Sequence, residues 1–353
     1  MNITFLIGNG FDIGVGMKSK FKDFFPIYQV LSKSKPSRIR QLAEEIGEDY
    51  DTWADFEAAL GMYTAKFSKE NKQDFIDQLK DFEREFVQYL KEQEEALCFD
   101  DSDAISNVML GALKEYYKND NLPIESAQII SGIYSNRARE SRVYNFVDFN
   151  YTEVLENCLK TIKSGIVVKR VVSGIEHTDR VGKIIHVHGS FDNSPIIGVN
   201  DISQISNKEL SQDRRFTQLF VKPSLNMRLR MNYDVDSTEM IRQSQIICIY
   251  GMSLGITDRK WWEMIIKWLA NDPSRQLVIF NYDGLYTSTT QFDWLEKEDS
   301  IIDILTSFSE ISEDDFEKIR KRIHVAINKN IFHMDLMNKH NEMMRMAMGL
   351  TAV

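Results

Sequence analysis

Ile3-Thr4-Phe5-Leu6-Ile7 is an apolar run of strand length that stops at Gly8-Asn9-Gly10 and gives way to helical spacing. Runs of the same kind recur at Val143–Phe149, Ile166–Val172, Lys183–Val187, Ile196–Val199, Ile246–Tyr250 and Gln276–Asn281. Several are rich in Val and Ile and lack polar alternation, as strands covered on both faces do. Helical patterns lie between some of them, at Glu153–Lys163 and Trp261–Ala270. Strands alternating with helices predict an α/β fold: a mostly parallel, Rossmann-like sheet with helices on both faces. Ligands of such open sheets bind beyond the carboxyl ends of the strands. The residues that end each run are therefore the first candidates for a site.

Helical periodicity dominates between the first two runs. Phe21, Phe24, Phe25, Tyr28 and Leu31 share a face, and Trp53, Phe56, Leu60, Tyr63 and Phe67 step by three and four. Phe75, Leu79, Phe82, Phe86 and Leu90 continue the pattern, and no strand signal interrupts it. This predicts a Rossmann-like core of residues 1–36 and 143–300, a helical insertion of residues 37–142, and a helical C-terminal segment, 301–353. The stretch 213–230 reads as a loop or short helices. The Met-rich tail, Met334 to Met348, reads as core or subunit contact, so a homo-oligomer is compatible with it.

The formal charge of −10 is concentrated in the insertion, where residues 41–100 hold 17 Asp/Glu against six Lys/Arg. That balance argues against a protein that binds nucleic acid mainly by charge. Cys98, Cys158 and Cys248 are too scattered for a disulfide framework or a zinc knuckle. No apolar run reaches the ~18–20 residues of a membrane span, and no basic stretch precedes the first one. A cytoplasmic protein without a membrane partner is the expectation.

Five strand ends carry the candidate chemistry. Gly8-Asn9-Gly10-Phe11-Asp12 offers glycines that permit positive φ and close ligand approach, with a helix start whose N–H groups suit an anion. Asp12 is placed to cap that helix. No Gly-Lys-Ser/Thr follows, so this is not a P-loop. Asp148-Phe149-Asn150-Tyr151-Thr152 places an amide donor and acceptor at a strand end. In Ile185-His186-Val187-His188-Gly189-Ser190, alternation puts both histidines on one side, and His188 suits general base work near neutral pH. Zinc is not expected, because H-x-H lacks a third ligand. Gly251-Met252-Ser253 and Asn281 end the last two runs.

Together these motifs resemble the sirtuin NAD-binding core. Gly8 to Asp12 stand where sirtuins carry G-A-G-I-S, Asn150 at the Asn of T-Q-N-I-D, and His188-Gly189 at the catalytic H-G. Gly251-Met252-Ser253-Leu254 is similar to G-T-S-L, and Asn281 matches a late-strand Asn near the adenosine ribose. The likeness covers the sheet alone. Thr152 replaces the Asp of T-Q-N-I-D, and the sirtuin zinc module is missing, which argues against protein deacylation. More of the chain is similar to the bacterial abortive-infection AbiH family. The marks are the opening I-G-N-G-F-D, Trp53-x-Asp55-Phe56-Glu57, Phe149-Asn150-Tyr151-Thr152 and His188-Gly189-Ser190.

These resemblances imply phage defence as the setting and NAD as substrate or ligand. Under a glycohydrolase reading, Gly8, Asn9, Gly10 and Phe11 hold the pyrophosphate, and Gly189 and Ser190 flank the site. Gly251, Ser253 and Asn281 fix the adenosine side. Asn150 stands by the nicotinamide ribose, His188 serves as base or polariser, and Asp12 stabilises developing positive charge. The alternative is a sensor that binds NAD or ADP-ribose without turnover and signals to a phage-derived trigger or partner protein. A further alternative, a nuclease or RNA-binding toxin, rests on Arg214, Arg215, Lys222, Arg228 and Arg230 beside Phe216 and Phe220. Asp55 and Glu57 lie two apart, so at most one can face a pocket.

Overall fold

The computed structural model describes residues 1–191, 195–287 and 290–337. Strand β1 (Asn2–Ile7) leads into helices α1 (Gly10–Gly14) and α2 (Phe21–Ser32). The insertion follows as α3 (Ser37–Glu48), α4 (Phe56–Tyr63), α5 (Lys72–Glu95), α6 (Ser102–Glu115) and α7 (Ile124–Asn136). Then come β2 (Val143–Asp148), α8 (Val154–Lys160), β3 (Ile166–Val172) and β4 (Ile175–His186). Short helices α9 (Lys208–Ser211), α10 (Arg214–Phe220) and α11 (Lys222–Arg228) precede α12 (Tyr233–Arg242) and β5 (Ile246–Tyr250). The chain continues through α13 (Arg259–Asn271), β6 (Gln276–Asn281), α14 (Gln291–Thr306), α15 (Glu313–Arg320) and β7 (Ile323–Ile327).

The seven strands form one sheet in the order β3-β4-β2-β1-β5-β6-β7. Every neighbouring pair is parallel except β3 with β4. Without the antiparallel edge strand β3, the parallel strands follow the doubly wound 3-2-1-4-5-6 order, whose crevice opens where the order reverses, between β1 and β5.

Alternation along the central strands divides the core in two. Ile3, Phe5 and Ile7 face an aromatic-rich layer that includes Phe24, Phe56, Phe82, Tyr116 and Phe146. Leu6, Ile247 and Ile249 face an aliphatic layer closed by Trp262, Ile265, Leu269, Ile302 and Leu305. The insertion is thus built onto the sheet, with the Phe5 ring 5.5 Å from Tyr116 and 5.6 Å from Phe146. Full burial of side chains this large stabilises by roughly 1.5–3 kcal/mol each.

Three expectations are corrected. Strand β4 begins at Ile175, not Lys183; its first half is a charged edge hairpin with β3, where one face stays wet. Ile196–Val199 joins no sheet strand: Val199 makes an isolated bridge to Val221, and Ile197 and Val199 are apolar because they belong to the same core cluster as the insertion's aromatic side chains. The C-terminal segment is not wholly helical, since Ile323–Ile327 adds the last parallel strand after α15. Residues 213–230 do form short helices. Met334 is buried, while the Met-rich tail from 338 onward lies outside the described residues.

Candidate functional site

The turns after β1 and β5 are packed backbone against backbone. Gly8 N donates to the Tyr250 carbonyl at 3.0 Å and Gly10 N to the Gly251 carbonyl at 2.8 Å. A Cβ on Gly10 would stand 2.5 Å from Gly251 Cα, and one on Gly8 would stand 2.7 Å from the Gly251 carbonyl oxygen. Gly251 itself needs φ of +69°. This corrects the sequence reading of the first turn. Gly8 and Gly10 are not among the positive-φ residues, and a second loop, not a ligand, takes up the space at their α-carbons. The N–H of Phe11 is also spent, on the Gly8 carbonyl at 2.9 Å, and α1 spans only five residues. The turn is therefore not a ready phosphate cradle.

Asp12 does not cap α1. It lies inside the helix, 1% exposed, and accepts from Thr152 Oγ1 at 2.7 Å and from Asn150 Nδ2 at 3.4 Å. Asn150 Nδ2 also reaches the Gly8 carbonyl at 3.3 Å, and its backbone N–H donates to Asp148 Oδ1 at 2.9 Å. His186 closes the network, with Nδ1 3.1 Å from the Asn150 carbonyl and Nε2 2.9 Å from Glu156 Oε2. Burial, with the charge of Asp148, pushes the Asp12 carboxyl well up. Burial also lifts Asp148 to about 7, against the pull of His186. For His186 burial acts downward, but the Glu156 and Asp148 carboxylates outweigh it and lift the imidazole to about 9. Two residues away, His188 is driven well down by burial and by the Lys222 charge, so it is neutral, and its Nδ1 has no partner.

His188 lies between this network and a second wall. A cavity of about 230 Å³ is lined by Gly8, Asn9, Asp12, Phe149, Asn150, Thr152, His188, Gly251, Met252 and Ser253 from the strand ends. Its other wall is Ser19, Phe21, Glu57, Phe86, Leu90, Tyr151, Lys222 and Asp258. Lys222, 2% exposed, holds Glu57 Oε1 at 2.5 Å, and Tyr151 Oη donates to the same oxygen at 3.3 Å. Burial raises the Glu57 carboxyl while Lys222 opposes it. Burial lifts Asp258 to about 7 against the same Lys222. Phe149 and Tyr151 flank His188, with ring centroids 5.6 and 6.3 Å away.

Of the residues singled out from sequence, Gly8, Asn9, Asp12, Asn150, His188, Gly251 and Ser253 meet at this cavity. Gly10, Phe11, Gly189, Ser190 and Asn281 do not line it. Phe11 is core, 5.4 Å from the Phe332 ring, and Asn281 sits at the end of β6, where its carbonyl accepts from Asn328 N. Glu57, Tyr151, Lys222 and Asp258 were not assigned to a site by sequence reasoning. Glu57 was one of two acids, and the choice between them turns on the start of α4: Asp55 is its exposed N-cap, accepting from Ala58 N at 3.2 Å, while Glu57 turns inward. The basic stretch of the nuclease reading loses its centre, because Lys222 is buried in the Glu57 pair and Phe216 and Phe220 are core. Among the described residues no cluster of His, Cys, Asp or Glu could hold a metal ion, and no helix is long and apolar enough to cross a membrane.

No curated protein matches the chain. A family model described as bacteriophage abortive infection AbiH matches residues 4–282.

Proposed function

Since the chain belongs to the AbiH family of bacteriophage abortive infection proteins, we propose that it serves that defence as an NAD-consuming enzyme, a glycohydrolase releasing nicotinamide. The observation that carries this reading is the meeting of Asp12, Asn150, His188 and Ser253, from four different strand ends, in one cavity at the sheet's switch point. The cavity is smaller than the roughly 300–1,000 Å³ pockets that enclose drug-sized ligands. It suits the ribosyl-nicotinamide end of a dinucleotide, with the phosphates outside.

In this reaction the bond between ribose C1 and the pyridinium nitrogen breaks, its electron pair stays with nicotinamide, and water oxygen bonds to C1. The proton released by water needs an acceptor, and neutral His188 in the cavity lining supplies one. Asp12 faces the charge that builds up on the sugar. Burial and the Asp148 charge hold its carboxyl up, and a cationic ligand alongside favours its ionised form. Thr152, which stands where the sirtuin motif carries an acid, donates to Asp12, so a carboxylate reaches the same place from α1. The Asn150 amide, tied to Gly8 and Asp12, orients ribose or water.

The test is to incubate purified protein with NAD, with and without phage lysate, and to follow nicotinamide and ADP-ribose by chromatography. The expected result is release that falls at least about 10²-fold in His188→Ala. No release in any condition, or equal release from the variant, removes the enzymatic reading. A second reading, a sensor, is favoured by the share of the cavity wall that the insertion supplies; calorimetric binding of ADP-ribose without products would establish it.

A further inference from the structure

The polar groups that reach the cavity are unequal in kind. Asp12, Glu57 and Asp258 present carboxyl groups, and His188 presents a neutral imidazole, 5% exposed. Lys222 is the cation among the lining residues, and it is already engaged by Glu57. An ionised carboxylate only accepts, so a ligand hydroxyl is a fitting partner for one that is held charged. A sugar supplies such hydroxyls.

Glu57 is the carboxylate best prepared for that task. Both of its contacts, from Lys222 Nζ and Tyr151 Oη, are to Oε1. Oε2 takes no hydrogen bond from the described residues, and the side chain keeps 13% exposure although it is walled by Phe21, Phe86 and Tyr151. Lys222 and Tyr151 thereby hold the rotamer and oppose the loss of charge that burial favours, while its second oxygen is left for a partner. Tyr151 Oη also lies 3.1 Å from the Ile196 carbonyl, so its single proton is shared between that oxygen and Glu57. Asp55, two residues earlier, faces solvent and does none of this.

We propose that Glu57 is a substrate-contacting residue of this cavity, accepting hydrogen bonds from the hydroxyls of the ribose bound in the cavity that His188 also lines. The inference rests on the nucleotide reading above and extends it: the helical insertion completes the sugar subsite, and specificity for a hydroxylated ribose is set by a residue outside the sheet.

Calorimetry with two probes tests it. ADP-ribose carries the distal ribose, and ADP lacks it. In the wild-type protein ADP-ribose binds more tightly than ADP by about tenfold, the scale of a hydrogen bond to a charged group. In Glu57→Gln, which keeps shape but loses the charge, that advantage falls to about twofold or less, while ADP affinity is unchanged. Glu57→Gln/Lys222→Met removes both buried charges, serves as a folding-competent control by circular dichroism, and shows the same loss. If the wild-type protein binds neither probe, both the nucleotide reading and the role of Glu57 fall. If it prefers ADP-ribose and both variants retain the full preference, the role of Glu57 alone falls.

Discussion

The two walls of the cavity are held in different ways. On the sheet side, Asp12, Asn150, Thr152 and His186 are tied to one another and to the backbone at strand ends whose register the sheet fixes. On the insertion side, one ion pair links Glu57 of α4 to Lys222 of α11, with Tyr151 as the bridge. The first wall is a by-product of the doubly wound fold. The second depends on two segments far apart in the chain finding each other. The sheet thus supplies one part of the cavity lining, and the insertion supplies another through Glu57, Phe86 and Leu90.

Breaking the pair is the most severe challenge to this contrast. Lys222→Met leaves Glu57 buried without its cation and should cost about 3–5 kcal/mol in chemical denaturation. The loss should grow with rising pH, because the orphaned carboxyl keeps its proton only in acid. A loss below about 1 kcal/mol would mean that the insertion wall is held by its other contacts, among them the Lys72–Asp213 pair and the Asn207–Phe67 hydrogen bond. Next comes the sheet side. Gly251→Ala forces an L side chain into φ of +69° and sets its Cβ 2.8 Å from Phe11 N. It should cost more than about 1 kcal/mol and weaken ADP-ribose binding through the shifted turn.

The pH dependence sharpens the comparison further. The His186 imidazole lies at about 9 when folded, above the ordinary 6.5. Its contribution to stability is whole below about pH 6.5 and is lost as pH rises through about 9. His186→Gln should therefore lower the denaturation midpoint at about pH 6 and hardly change it at about pH 10. Equal loss at both would show that its charge is not what holds the network. The smallest effect is expected from Asp55→Ala, which removes the N-cap of α4. It should cost about 1 kcal/mol and leave ADP-ribose affinity intact. A binding defect there would show that the whole start of α4, not Glu57 alone, shapes the subsite.

The sheet was readable because its central strands are covered on both faces and so lack polar positions, as in Ile246–Tyr250. Edge strand β3 was also read at full length, but the first half of β4 and the other edge strand, β7, escaped. Glu176, Asp179 and Arg180 mask the first half of β4 as polar chain. Strand β7 is only five residues long and follows a helix directly. Strand ends point to a crevice from sequence alone, so His188, Asn150 and Asp12 could be named together. What sequence did not show was how Gly8 and Gly10 are used, since close loop packing and ligand approach ask for the same residue. Nor could it pair Glu57 with Lys222, because nothing local records which helix faces meet across that separation.

The glycine-on-glycine contact between the turns after β1 and β5 has a mechanical consequence. With Gly10 Cα and Gly251 Cα stacked and their amide links closed, those turns form a single stiff rim, and neither can swing without tearing the other. Any adjustment of the cavity to what it holds must then come from its other lining residues, among them Glu57 at the start of α4. Amide exchange should display the asymmetry, with Gly8 and Gly10 slow and the first turn of α4 fast.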